Sequence, residues 1–216
     1  MILTAAIVIC AVAAGWLALA AWLSQTLGLG FRQAIFYVTL KIWRRVDDDG
    51  VKSLRTAPAP VIYAVRHQSR LDPAYALSLL PSETLHILDQ QSAKAAWLEP
   101  WRELARTIGF NAEHLFVSRR LVRHLKGRGR LAVYLPADIR PDTKEFRLYR
   151  AISRIAANSG ASIVPLQFGA DGAFSRVRVE ALPPLTIAEL SQHSTTPAMS
   201  HALFNRVEEV RVKAAA

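Results

Sequence analysis

The hydrophobic positions begin with one long, almost uninterrupted run. From Met1 to Leu23 the residues are nearly all apolar, and no charged side chain precedes Arg32. A helix rises about 1.5 Å per residue, so this run is long enough to cross a hydrocarbon core of roughly 30 Å. The pattern predicts a membrane-anchoring helix in residues 1–30, either spanning the bilayer or inserted in it.

Two other interpretations of this run stay open. A cleaved signal peptide normally starts with a basic region, whereas here the basic residues follow the run, which favours an uncleaved anchor. A helix lying within the membrane is the other interpretation, because Gly15, Gly28 and Gly30 leave room for a bend. Positive charges after the run predict an inner (cytoplasmic) membrane protein whose remaining chain lies on the cytoplasmic side.

Residues 31–57 mix apolar with charged positions. Phe31, Ile35, Val38 and Ile42 recur at helical spacing, with basic residues elsewhere on the segment. The pattern predicts an amphipathic helix, which either lies on an anionic lipid surface or packs on the domain that follows it. An acidic turn and the prolines near residue 58 then predict a linker.

From residue 58 to residue 216, strand-like and helix-like runs alternate, which predicts one α/β layered domain. Strands are expected at Val61–Val65, Thr84–Leu88, Leu115–Val117, Leu131–Leu135, Ser162–Phe168 and Val177–Ala181. Helices are expected at Pro73–Leu80, Trp97–Ile108, Glu145–Asn158 and Ala198–Val212, with a basic helix after Arg119.

The 216 residues carry a formal net charge of +10, which points to an anionic partner. Because a membrane segment is present, an anionic membrane surface is the simplest such partner. The densest cationic stretch, Arg119–Arg130, contains no aromatic residue for base stacking, so no nucleic acid is expected. Cys10 is the single cysteine, and the histidines lack metal-ligand spacing, so neither a disulfide framework nor a metal is expected.

The strongest chemical signal directly follows the first predicted strand, where Arg66-His67-Gln68-Ser69-Arg70-Leu71-Asp72-Pro73 leads into a helix. A histidine titrates near neutrality and can take a proton from a hydroxyl nucleophile. A carboxylate such as Asp72 can hold the other ring nitrogen and fix the tautomer. Ser69 and Asp72 also fit a helix-capping box, or Asp72 alone caps a helix that starts at Pro73.

Taken alone, such a histidine–aspartate pair occurs often by chance, but four blocks in order make the chain resemble the lysophospholipid acyltransferase family. These are His67-x-Ser69-x-x-Asp72, Leu115-Phe116-Val117-Ser118-Arg119, Leu131-Ala132-Val133-Tyr134-Leu135-Pro136 and Ile163-Val164-Pro165-Leu166. Within the family, which includes 1-acylglycerol-3-phosphate acyltransferase, the chain is most similar to the acyltransferase half of bifunctional acyl-ACP synthetase/2-acylglycerophosphoethanolamine acyltransferases.

The resemblance implies a mixed sheet flanked by helices and a transfer of a fatty acyl group from acyl-CoA or acyl-ACP to a lysophospholipid hydroxyl. His67 would be the general base, Asp72 its orienting carboxylate and Arg119 the partner of the acceptor phosphate. The acyl thioester is a co-substrate, and no cofactor is expected. The predicted substrate-binding residues are Arg66, Ser69, Arg119, Asp138 and Arg140.

One departure from the family pattern concerns the acceptor side. The motif proline, Pro136, is followed by Ala137-Asp138-Ile139-Arg140, where the family usually has glutamate and glycine. Asp138 and Arg140 are expected to take over the acceptor contacts. The alternative is that the chain is a catalytically inactive, lipid-binding relative.

Overall fold

The computed structural model describes residues 2–47, 49–109, 116–136, 146–170, 176–186, 188–189 and 196–214. The helices are α1 (Ile2–Leu27), α2 (Phe31–Arg44), α3 (Val51–Thr56), α4 (Asp72–Leu79), α5 (Gln90–Lys94), α6 (Glu99–Arg102), α7 (Phe116–Lys126), α8 (Arg147–Ser159) and α9 (Thr196–Ala214). A short 3-10 turn, Ala96–Leu98, precedes α6.

The strands are β1 (Val61–His67), β2 (Thr84–Leu88), β3 (Arg106–Gly109), β4 (Arg130–Pro136), β5 (Ser162–Ala170) and β6 (Val177–Ala181). They form a sheet in the order β3-β2-β4-β1-β5-β6. All neighbours pair in parallel except β5 and β6, which are antiparallel. The expected mixed sheet flanked by helices is therefore present.

Helices cover both faces of this sheet, because successive side chains of a strand point to opposite sides. Val61, Tyr63 and Val65 of β1 pack with α1, α2, α3 and α4 on what we call the anchor face. Ile62 and Ala64 pack with α7, α8 and α9 on the other face, the distal face. The central strands are apolar on both sides, as parallel strands between two helix layers must be.

Two predicted elements are wrong. The Trp97–Ile108 helix is replaced by the 3-10 turn, the four-residue α6 and the edge strand β3, because pairing with β2 overrides the local helix pattern. The Leu115–Val117 strand is also wrong where the structure describes it, because α7 already begins at Phe116. Leu115 lies outside the described residues.

Helix α1 is both a candidate membrane helix and, at its end, part of the core of the domain. Among the described residues it is the one helix long and apolar enough to cross a membrane, and its most apolar 18-residue window has no buried residue. Near its end, Ala20 and Leu23 are fully buried in the core of the anchor face. The anchor therefore continues directly into the core of the domain across the expected boundary at residue 30.

Of the two interpretations of α2 that the sequence left open, packing on the domain is present, while contact with lipid stays a prediction. Tyr37 and Val38 are fully buried on the anchor face, so the helix packs on the domain. Phe31, Ile42 and Trp43 stay 50–60% exposed, beside α1. An apolar surface is thus left next to the anchor on a helix that is otherwise part of the core.

A buried amide ties α2 to α4, the helix that starts with Asp72. The side-chain nitrogen of Gln33 donates to the carbonyls of Leu77 at 3.0 Å and Leu80 at 2.8 Å. Arg55 of α3 donates to the carbonyl of Leu79 at 2.9 Å. The last carbonyls of a helix have no partner within it. The side chains of Gln33 and Arg55 therefore satisfy the end of α4 and link it to α2 and α3.

Candidate active site

His67 is the last residue of β1, at the carboxyl edge of the five parallel strands. Its neighbour in β4 is Pro136, the last residue of that strand. Strand alternation places the imidazole on the anchor face, with Tyr63 and Val65. The carboxyl edge of a parallel sheet is where α/β folds place their ligands, so the position suits a reactive group.

Asp72 is the first residue of α4 and is almost completely buried, with 1% of its side chain exposed. Its Oδ2 accepts hydrogen bonds from the backbone nitrogens of Gln68 at 2.7 Å and Ser69 at 2.8 Å. Half of the predicted capping box is thus formed. The other half is absent, because Ser69 Oγ accepts from the backbone nitrogen of Leu71 instead, at 3.2 Å. These bonds hold the turn between His67 and α4 closed.

The turn brings the two predicted catalytic side chains together. His67 Nδ1 lies 3.4 Å from Asp72 Oδ2, and 28% of the histidine side chain is exposed. Because Nδ1 faces the carboxylate, Nε2 on the other side of the ring is the nitrogen available to a substrate. A half-exposed imidazole backed by a buried carboxylate has the arrangement of a base and its orienting group.

Arg66 points the other way. It lies on the distal face, where its Nη1 is 3.5 Å from Gln167 Oε1 and its Nε is 3.4 Å from Glu208 Oε1 of α9. Only 3% of its surface is exposed. In this structure the guanidinium therefore binds the C-terminal helix, while substrate binding by Arg66 stays a prediction.

Arg119 is exposed in the first turn of α7. The chain must return from the carboxyl end of β3 to the start of β4, and α7 lies in that return. By this topology the first turn of α7 lies toward the carboxyl edge of the sheet, on the distal face, and phosphate binding by Arg119 stays a prediction. Asp138 and Arg140 lie outside the described residues, so their roles stay predictions.

Tyr134 and His86 are site residues that the sequence did not reveal. Tyr134 lies two residues before Pro136, and its ring meets that of His67 edge to face, with centroids 6.1 Å apart and planes at 79°. Its hydroxyl lies 2.9 Å from Nδ1 of His86, which is fully buried in β2. The fully apolar neighbours Leu85 and Ile87 were the available signal that this strand is buried on both faces.

Burial sets the protonation states of His86 and Tyr134. Desolvation lowers the pKa of His86 from 6.5 to about 3. Desolvation also raises the pKa of the Tyr134 hydroxyl well above 10.0, and the charge of Asp72 adds to that effect. Both side chains are therefore neutral near pH 7.

We expect His86 to make the protein sensitive to acid. A pKa of about 3 in the fold against 6.5 in the unfolded chain means that protonation favours unfolding. Its contribution is complete above pH 6.5 and is lost toward pH 3, at up to about 1.4 kcal/mol per pH unit. As the pH falls from 6.5 to 3, the free energy of unfolding of His86→Gln should decrease less steeply than that of the wild type. His201→Gln, at an exposed position of α9, should keep the wild-type slope; equal slopes for both variants would contradict the assignment.

Among the described residues, no group of three or more His, Cys, Asp or Glu side chains is placed to hold a metal ion.

Comparison with known proteins adds a structural likeness. No protein-family model and no curated protein match the sequence. Among solved structures, the 1-acyl-sn-glycerophosphate (LPA) acyltransferase PlsC from Thermotoga maritima matches with a TM-score of 0.54 and 15% sequence identity, over 84% of this chain and 81% of that one. The chain therefore has a PlsC-like acyltransferase fold, with the His67–Asp72 pair at the carboxyl edge of its sheet.

Proposed function

We propose that the protein is an O-acyltransferase that moves a fatty acyl group from a thioester, acyl-CoA or acyl-ACP, to a hydroxyl of a lysophospholipid-type acceptor. The observation that carries the proposal is the 3.4 Å approach of His67 Nδ1 to the buried Asp72 carboxylate. An alcohol is a weak nucleophile and needs such a base, and the PlsC-like fold supports this class of reaction.

In the proposed reaction, Nε2 of His67 takes the proton of the acceptor hydroxyl as its oxygen attacks the thioester carbonyl carbon. The new carbon–oxygen bond forms, the carbon–sulfur bond breaks, and the thiolate leaves with the proton that the imidazolium returns. Asp72 fixes the ring and stabilises the imidazolium while it exists. No covalent intermediate with the protein is needed.

The acceptor head group is proposed to bind through Ser69, Arg119, Asp138 and Arg140. Ser69 lies in the turn between the base and its carboxylate. Arg119 lies near the same sheet edge, and its planar guanidinium suits a phosphate. Arg66 faces the distal side, so we place it behind the site rather than against the substrate.

Two surfaces support a membrane location. Helix α1 and the exposed apolar residues of α2 would seat the protein in the inner membrane, with Arg45 and its basic neighbours toward an anionic lipid surface. On the distal face, α7 and α8 pack together and expose a second group of cations. They suit the phosphates of CoA or an acidic carrier protein, and these cations are Arg120, Arg123, Lys126, Arg147, Arg150 and Arg154.

The direct test is an assay of the full-length protein in detergent or nanodiscs with acyl-CoA or acyl-ACP and a panel of lysophospholipids. We expect at least one pair of substrates to give acylated lipid and free thiol in equal amounts. His67→Ala should reduce product formation to the rate measured without protein. His201→Ala, a matched histidine change on α9, should keep wild-type turnover. Equal rates for wild type and His67→Ala across the panel would refute the proposal.

A second candidate is a catalytically inactive, lipid-binding module. The sequence Ala137-Asp138 after Pro136, in place of the usual glutamate and glycine, favours it. It predicts that lysophospholipid binds to the protein, as measured by lipid co-purification or titration, while no pair of substrates yields product. Product formation that depends on His67 would exclude it.

A further inference from the structure

Asp72 alone does not hold the His67 ring tightly. The Nδ1–Oδ2 distance of 3.4 Å is longer than a good N–H···O hydrogen bond. The same oxygen already accepts two backbone hydrogen bonds, from Gln68 and Ser69. His67 also lies at the end of β1, where pairing with β5 has already stopped at Arg66. A second support is therefore needed if the ring is to keep one orientation.

Tyr134 is placed to give that support. It projects from the neighbouring strand β4 on the same face as His67, two residues before Pro136, the residue opposite His67. The ring centroids are 6.1 Å apart and the planes lie at 79°, within the range of a favourable edge-to-face pair. The tyrosine ring thus forms a wall on the side of the imidazole away from the β5 side of the sheet.

Tyr134 is in turn held by a hydrogen bond to the next strand, β2. Its hydroxyl and Nδ1 of His86 are 2.9 Å apart, and His86 has no exposed surface. The ring centroids of these two residues are 6.3 Å apart, and their planes are tilted by 31°. His67, Tyr134 and His86 therefore form a row across β1, β4 and β2. A buried hydrogen bond of this kind restricts the ring that carries it.

We infer that Tyr134, anchored by the buried His86, is a positioning residue that holds the His67 ring against Asp72. The inference rests on the proposed function for its kinetic consequences. It concerns the orientation of the base and not contact with the substrate, so kcat should respond while KM for both substrates does not.

The test compares Tyr134→Leu with Tyr149→Leu, a matched change at a tyrosine buried on the distal face. Small displacements of a reacting group can cost about 100-fold in rate, so we expect Tyr134→Leu to lower kcat by about 10- to 100-fold at unchanged KM. Tyr134→Phe keeps the ring but loses the hydrogen bond to His86, so kcat should fall by less than in Tyr134→Leu but remain below wild type. Tyr149→Leu should destabilise the fold without lowering kcat of the folded enzyme. In a His67→Ala background, Tyr134→Leu should have no further effect.

A second measurement does not need turnover. Diethyl pyrocarbonate modifies accessible imidazoles, and mass spectrometry gives the rate at His67. We expect several-fold faster modification of His67 in Tyr134→Leu, a smaller increase in Tyr134→Phe, and the wild-type rate in Tyr149→Leu. If the rate and kcat are both unchanged in Tyr134→Leu, the inference is wrong. If wild-type turnover does not exceed that of His67→Ala, the proposed function fails, and the modification rates alone decide whether Tyr134 positions the ring.

Discussion

Replacing Asp72 with asparagine should lower kcat by about 10²- to 10⁴-fold, because the imidazolium formed in the reaction loses its partner charge. The asparagine oxygen can still accept from the backbone nitrogens of Gln68 and Ser69, which now donate to Asp72 Oδ2. The same oxygen also faces Nδ1 of His67, so it can keep the ring nitrogen as a donor. It carries no negative charge, however, and stabilises the protonated ring far less than the carboxylate does.

The change should leave the fold intact, with the free energy of unfolding altered by no more than about 1 kcal/mol, because the turn keeps its acceptor. Steady-state kinetics and denaturant unfolding of the same preparations measure both effects. Asp89→Asn is the matched control, since Asp89 caps α5 through the backbone nitrogens of Gln91 and Ser92 in the same chemical manner. It should keep full activity. An Asp72→Asn protein with near wild-type kcat would show that the charge of the carboxylate does not assist the base.

The double change Ile9→Arg and Val12→Arg should release the protein from membranes. Both side chains are exposed, at 68% and 64%, in the stretch of α1 that packs on nothing within the domain. Each arginine at the centre of a spanning helix costs about 2.5–3.5 kcal/mol, so the pair should lower membrane partitioning by about 10⁴-fold. Sedimentation with phosphatidylcholine vesicles, followed by quantification of both fractions, measures the shift.

A charge-matched control is available on the distal face. Ala157→Arg and Asn158→Arg add the same two charges at exposed positions of α8, far along the chain from the anchor. That variant should stay in the vesicle fraction, which separates a change in α1 from a general gain of charge. If the α1 variant sediments as fully as wild type, α1 does not seat the protein.

The sequence predicted the central sheet well because its physical signal is local. Val61–Val65 is a continuous apolar run and Ser162–Phe168 is mostly apolar, and both are short and bounded by turn residues, as buried strands are. The His67–Asp72 pair followed from its place after such a strand. Edge strand β3 escaped prediction because four half-exposed residues carry little pattern of their own and are ordered by pairing with β2.

The contact between Tyr134 and His86 could not be predicted from the sequence, for a different reason. Tyr134 and His86 are separated by 48 residues and meet only because β2 and β4 are neighbours in the sheet. Likewise, the orientation of Arg66 depends on Glu208, which arrives from the far end of the chain. Contacts of this kind follow from strand order, and strand order is decided by the packing of the whole domain.

The amide of Gln33 that closes the end of α4 has a consequence for where the protein can act. Its two hydrogen bonds link the helix that follows α1 to the helix that carries Asp72. Under the proposed function, a seat for α1 in the membrane would therefore also set the height of the His67 edge above the lipid surface. Acceptors would then be expected to reach His67 by lateral diffusion within the leaflet.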